Sequence, residues 1–314
     1  MEYRTLGRTG LKVSLLGYGT GGARKFGVGN GTSAADRQDF IRRALDLGIN
    51  FFDTAGGYGK SETYLGETLA GVPRDSYVLE TKWNGGVWLE NDSAGITLTE
   101  SVERSLERMR TDHVDVFMFH MIDEGLYEQH RDRLYPEAAK LKEQGKIGHI
   151  GFTQTIRREP KFEGVVKALM GNPEMWDVVM LKYGIMNQWA AKEALPLAKQ
   201  HDVGIVNMAV VRRTLTDPVA MQSRLAEWRG DGTISSHALT GDSPFDWLVD
   251  GDVGSVAEAA YRFGVDQDPM SSVLTGTSNI EHLEANVTAL ERGPLSDADA
   301  ARLVELLGES WSPD

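Results

Sequence analysis

The chain has 314 residues, 41% of them hydrophobic and 25% charged, which is the composition of a soluble globular protein with a full core. It contains no cysteine, so disulfides, thiolate metal sites and cysteine nucleophiles are excluded. A net charge of −13 argues against nucleic acid or an anionic membrane as a partner, while leaving room for a small anion at a local basic site. No apolar run reaches the ~18 residues of a membrane span. The opening stretch MEYRTLGRTG carries no apolar signal segment, so a cytoplasmic location is expected.

In chain order, residues 3–14, with LGRTG as a turn, predict a hairpin. Eight short apolar runs follow: LLGYGT (15–20), INFFDTA (49–55), SYVLETKW (76–83), VDVFMFH (114–120), IGHIGFT (147–153), DVVMLKY (177–183), GIVNMAV (204–210) and SSVLTGT (271–277). Near-continuous apolar runs suit parallel strands covered on both faces. Between the runs lie amphipathic helices. Ser33 and Asp36 make a capping-box pattern ahead of Phe40, Ala44 and Leu47, and Gly48 stops the helix. Thr97 and Glu100 do the same ahead of Val102, Leu106 and Met109. Leu134, Ala138 and Leu141 form a stripe that stops at Gly145, and Ile280, Leu283, Val287 and Leu290 form another. Residues 230–252, rich in Gly, Asp and Ser, predict a long loop, and residues 296–308 a final helix capped by Ser296. The pattern predicts one domain over residues 1–314: a (β/α)8 TIM barrel with an N-terminal β-hairpin and a C-terminal extra helix. A doubly wound sheet is the runner-up, because strand order is not readable from sequence.

In such a barrel the chemistry sits where strands end. Runs two, three and four end near Asp53, Lys82 and His120, with Tyr58 just past the second. A tyrosine, with a reference pKa of about 10, is a poor acid near neutrality unless a nearby ammonium favours the phenolate. Lys82 can supply that ammonium, Asp53 can keep it protonated and oriented, and His120 can donate a hydrogen bond to a substrate carbonyl. This is a general acid–base site with an electrophilic partner. It has no redox group and needs a hydride donor.

The segments YRTLGRTGLKVSLLGYGT, FFDTAGGYGKSETYLGETL, VLETKW and VDVFMFH, in this order, resemble the aldo-keto reductase superfamily, and the resemblance runs over nearly the whole chain. It implies nicotinamide-dependent reduction of an aldehyde or ketone, sugar-like molecules included, or the reverse oxidation of an alcohol. Tyr58 would be the proton donor, with Asp53, Lys82 and His120 as the other catalytic residues. The same resemblance assigns the cofactor to Gly19, Thr20, Asp53, Thr153, Gln154, Tyr183, Arg212, Arg213, Gly276, Thr277, Ser278, His282 and Asn286. Thr153-Gln154 stands where the family places a Ser-Asn pair for the carboxamide, and Met180 where it places a glutamine. Tyr183 matches the aromatic on which the nicotinamide stacks. Arg212 and Arg213 suit a pyrophosphate or an acidic substrate. Gly276 and His282 replace the family's frequent lysine and arginine, so two cations for a 2′-phosphate are missing. The expected cofactor is NADP(H), with NAD(H) as the alternative, and no GxGxxG follows the first strand. Trp83 and Trp88 are candidate walls of a substrate pocket. No metal is expected, and a monomer and a homo-oligomer both fit. Two other readings remain: a non-catalytic NADP-binding regulatory subunit of the same superfamily, and a lyase or aldolase barrel with Lys82 as a Schiff base.

Overall fold

The computed structural model describes residues 1–22, 26, 31–83, 95–249 and 251–313. Strands β1 (Tyr3–Thr5) and β2 (Lys12–Ser14) pair antiparallel as the expected hairpin. Eight further strands follow: β3 (Leu16–Gly19), β4 (Phe51–Asp53), β5 (Val78–Trp83), β6 (Val114–Ile122), β7 (Ile147–Gln154), β8 (Val178–Leu181), β9 (Gly204–Asn207) and β10 (Met270–Thr275). They pair in parallel in chain order, and β10 closes on β3. Each lies inside one of the eight apolar runs or overlaps it. The doubly wound alternative is thereby excluded, since an open sheet does not close.

The helices between the strands are α1 (Ala34–Asp46), α2 (Ser61–Thr68), α3 (Leu98–Met109), α4 (Glu124–Gln129), α5 (Tyr135–Glu143), α6 (Glu163–Gly171), α7 (Ala194–Gln200), α8 (Arg213–Thr216), α9 (Pro218–Asp231), α10 (Val256–Val265) and α11 (Ile280–Glu291), with α12 (Asp297–Leu307) after the last of them. Both capping boxes form: Ser33 accepts from the Asp36 N–H, and Thr97 from the Glu100 N–H. Ser296 caps α12. Two local features differ from expectation. Leu134 lies in a π-helical turn, His130–Leu134, so the stripe ahead of α5 begins in a wider, underwound turn rather than in a regular α-helix. The 230–252 segment begins inside α9, which runs to Asp231 before the left-handed Gly232 stops it.

Side chains alternate across each barrel strand. Phe51, Val78, Val116, Met118, Val178, Met180, Val206 and Leu274 pack inside the barrel. Leu79, Phe117, Phe119, Phe152, Val179 and Leu181 belong to the larger core between strands and helices. Leu6 and Val13 of the hairpin join the inner cluster and close the barrel at its N-terminal end. The turn sits against β9 so closely that a Cβ on Gly7, at φ +46°, would meet the Gly204 nitrogen at 2.2 Å. The opposite, C-terminal end is left as the mouth. Among the described residues no helix is long and apolar enough to cross a membrane.

Candidate active site

β4 ends on Asp53, and β5 carries Lys82 one residue before its own end. The Lys82 ammonium donates to an Asp53 carboxylate oxygen and to the Thr54 carbonyl oxygen, the latter at 2.9 Å. Tyr58 stands on the turn between β4 and α2. Its N–H donates to the Ala55 carbonyl at 3.0 Å, and its own carbonyl accepts from the Ser61 hydroxyl at 2.9 Å. Gly59 takes φ +67°, a backbone angle that strains any other L-residue, to complete this turn. Gly21, past β3, leaves the space the phenol fills: a Cβ there would lie 2.4 Å from the Tyr58 ring. Lys82 Nζ is 5.4 Å from the centroid of that ring.

His120 is aimed by an irregularity in its strand. The β6–β7 register shifts between Phe119 and Ile122, and Met121 takes φ +61°. The Thr153 hydroxyl holds the bulge by accepting the Met121 N–H at 2.7 Å. The His120 ring then meets Tyr58 edge to face at 5.9 Å. Asp53, Tyr58, Lys82 and His120 thus come together at one side of the mouth.

Burial governs the electrostatics. It raises the Tyr58 phenol above its ordinary value of 10.0; Glu80 adds to the rise and Arg212 opposes it. It pushes Lys82 well below its ordinary value. His120 is pushed down to about 3 by burial and then by Lys82, so its ring is neutral at working pH and offers one N–H for donation. The expected lowering of Tyr58 by Lys82 is outweighed here. The ammonium is held by Asp53 in direct contact, with Glu80 at 3.5 Å, and burial is the largest influence on the phenol.

Sequence reasoning missed Glu80, although period-2 alternation along VLETKW puts it on the same strand face as Lys82. It also missed Lys182, which is buried and donates to the Ser312 carbonyl at 3.1 Å, so that the C-terminal segment lies against the end of β8.

The other candidate residues fall into separate groups. Gly19 ends β3 next to Asp53 and Thr20 follows it, and a Cβ on Gly19 would touch the Asp53 carboxylate at 3.4 Å. The buried hydroxyls of Thr20, Thr54 and Thr155 lack hydrogen-bond partners, and each follows directly on a barrel strand. Unsatisfied buried hydroxyls at a mouth fit a polar ligand that brings its own donors and acceptors, as a carboxamide and ribose do. Gln154 has its amide engaged within the protein, donating to the Glu159 carbonyl and accepting the Lys182 N–H, both at 3.1 Å. The Tyr183 ring is not brought to the Lys82 cluster. It is buried in the layer outside the barrel and stacked on Phe263 of α10 at 5.5 Å. Trp83 likewise points to the helix layer, edge to face with Phe119 at 6.4 Å; Trp88 lies outside the described residues.

Arg212 and Arg213 are exposed at the start of α8, Arg213 paired with Asp217 at 2.9 Å. Gly276, Thr277 and Ser278 form the turn after β10, which approaches the turn after β3 closely enough that a Cβ on Gly22 would meet the Gly276 carbonyl at 3.2 Å. His282 is exposed on α11, and its N–H is held by the Asn279 cap at 3.1 Å. Asn286 donates to the Thr275 hydroxyl at 3.0 Å. Among the described residues no group of three or more His, Asp or Glu side chains could hold a metal ion.

The sequence profile of the Aldo/keto reductase family matches residues 16–307. L-galactose dehydrogenase of Arabidopsis thaliana is 31% identical over 307 residues, covering 92% of this chain and 88% of that protein. The NADH-specific methylglyoxal reductase of Escherichia coli is 28% identical, with 98% of each chain covered. A solved Pseudomonas aeruginosa structure assigned to the aldo-keto reductases superposes with a TM-score of 0.64 at 28% identity, covering 96% of both chains.

Proposed function

The chain belongs to the aldo/keto reductase family, whose members are nicotinamide-dependent oxidoreductases, and we propose that it reduces a small, sugar-like aldehyde or ketone with Tyr58 as the proton donor. The observation that carries this reading is the buried Lys82–Asp53 pair beside the Tyr58 ring, with His120 edge to face across it. When bound, the dihydronicotinamide supplies a hydride to the carbonyl carbon.

The protein supplies the rest. The Tyr58 O–H bond breaks, its proton passes to the carbonyl oxygen, and a phenolate remains. Burial keeps the phenol protonated until substrate is in place. The neutral His120 ring donates its N–H to the same carbonyl oxygen and polarises it. Lys82, held by Asp53, lies close enough to stabilise the phenolate after transfer. In the oxidative direction the phenolate would be the base. Two of the named relatives, L-galactose dehydrogenase and methylglyoxal reductase, act on small oxygenated carbonyl or hydroxyl compounds, which supports the substrate class.

Gly19, Thr20, Thr153 and the 276–286 segment are the groups that would hold the dinucleotide, with Arg212 for its phosphates. NADP(H) is the first expectation and NAD(H) the alternative. With Gly276 and His282 in place of cations, and with Glu281 and Glu284 on the same helix, we infer weak discrimination between the two.

Turnover on a panel of aldehydes and hydroxyaldehydes, followed by loss of NADPH or NADH absorbance, tests the reading. Tyr58→Phe is expected to lower turnover by ~10²–10⁴-fold with dinucleotide affinity unchanged. A variant that keeps more than about a tenth of the rate on a chemistry-limited substrate removes Tyr58 from the role.

A further inference from the structure

Glu80 sits in the barrel interior, one inward position from Lys82 on β5. It is 0% exposed, and neither carboxylate oxygen has a hydrogen-bond partner. Its Oε1 stands 3.5 Å from the Lys82 ammonium. The inward residues nearby, Phe51, Val78, Val116 and Met118, are apolar, so packing at this level calls for a leucine or methionine rather than an acid. A buried carboxylate without hydrogen bonds is costly and is tolerated only beside a compensating charge. Asp53 already neutralises Lys82, so Glu80 is a second acid on one ammonium.

Resting on the reading of Tyr58 as proton donor, we propose that Glu80 is a positioning residue of this site: the second of two carboxylates that bracket the Lys82 ammonium, fixing it beside the Tyr58 ring and offsetting its charge there. The charged and titratable groups around this level come from four places. They are Asp53 from β4, Tyr58 from the turn after it, His120 from β6 and Arg212 after β9.

One ammonium cannot neutralise two enclosed carboxylates, and burial holds Glu80 well above the ordinary carboxylate value of 4.5. As the pH rises Glu80 ionises, and its new charge opposes the ionisation of Tyr58. The proton donor stays loaded to a higher pH than the Lys82–Asp53 pair alone would allow.

The test is the pH profile of kcat/KM for reduction of one aldehyde, read on the wild type, Glu80→Gln, Glu80→Leu and Glu80→Asp. Loss of the Glu80 charge is expected to move the alkaline limb down by on the order of one pH unit, equally in Glu80→Gln and Glu80→Leu, and Glu80→Asp should return it towards the wild type. A merely structural role would lower activity or stability without moving the limb. A limb that stays in place or moves up, in a protein that Tyr58→Phe inactivates, overturns the role of Glu80 and leaves the proton donor standing. Activity retained in Tyr58→Phe overturns the reading of the site itself. If neither neutral variant folds, infrared difference spectra of the unaltered protein decide. A protonated-carboxyl band lost in step with the alkaline limb supports the proposal, and its absence overturns it.

Discussion

On the proposed reading, cofactor choice turns on His282. Its side chain is exposed on the first turn of α11, where a helix N-terminus already favours an anion. Its backbone N–H is taken by the Asn279 cap, so only the side chain is available to a 2′-phosphate. An arginine there adds a planar donor fork with a permanent charge. His282→Arg is expected to tighten NADPH about tenfold, the lower end for charge-assisted hydrogen bonds at an exposed site. NADH should be almost unaffected. Fluorescence titration of both dinucleotides measures this, and equal tightening of the two would place residue 282 away from the 2′ position. At this scale the residue types in the site were legible, because Asp53, Lys82 and His120 each lie within two residues of a strand end and Tyr58 on the turn after β4. Side-chain direction was less legible. Tyr183 and Trp83 sit at strand ends too, but alternation turns both outward into the helix layer.

Among the elements, the N-terminal hairpin closes the barrel opposite the mouth. Leu6 is 0% exposed and packs with the inward residues of the barrel. Arg8 extends the contact, donating to the Trp176 carbonyl at 2.8 Å, and its N–H donates to the Asp202 carbonyl at 2.7 Å. Leu6→Ala is expected to destabilise the fold by about 2–5 kcal/mol, the range for emptying a buried leucine site. The kcat of the folded fraction should be unchanged, since the plug is at the far end from Lys82. Urea unfolding read alongside turnover checks both halves, and a lowered kcat at full folding would mean that the plug and the mouth are coupled. The hairpin itself was readable from LGRTG between two short runs. Its use as a plug was not, because a three-residue strand does not say which end of a barrel it will cover. The bulge that aims His120 was likewise invisible, since nothing in VDVFMFHMI marks a register shift that the partner strand β7 imposes.

For the whole molecule, the cost of the site appears in its acid stability. His120 ordinarily takes a proton at 6.5, and in the folded protein only at about 3. Between those values the unfolded chain binds a proton that the folded one refuses, so the stability of the fold falls as pH falls through this window. Carboxylate protonation acts in the same acid range, so the comparison must be with a variant. His120→Gln is expected to gain in melting temperature relative to the wild type as pH drops from 6.5 towards about 3. Scanning calorimetry across that range measures it, and parallel curves would mean that His120 is not held neutral. In the closed order of strands each barrel strand is paired on both sides, with one apolar cluster inside the barrel and another between strands and helices.

The sequence by itself determined the number of strands, the caps of α1, α3 and α12, and the four residues at the mouth. All of these follow from local physics, namely apolar runs, capping hydroxyls and residue type at strand ends. Tertiary structure alone decided that Asp53 meets Lys82. Asp53 comes from the neighbouring strand, and the register of β4 against β5 sets it opposite Glu80. It also decided that burial, rather than the lysine, governs the Tyr58 proton. Burial is a property of the closed barrel, and no stretch of sequence carries it alone.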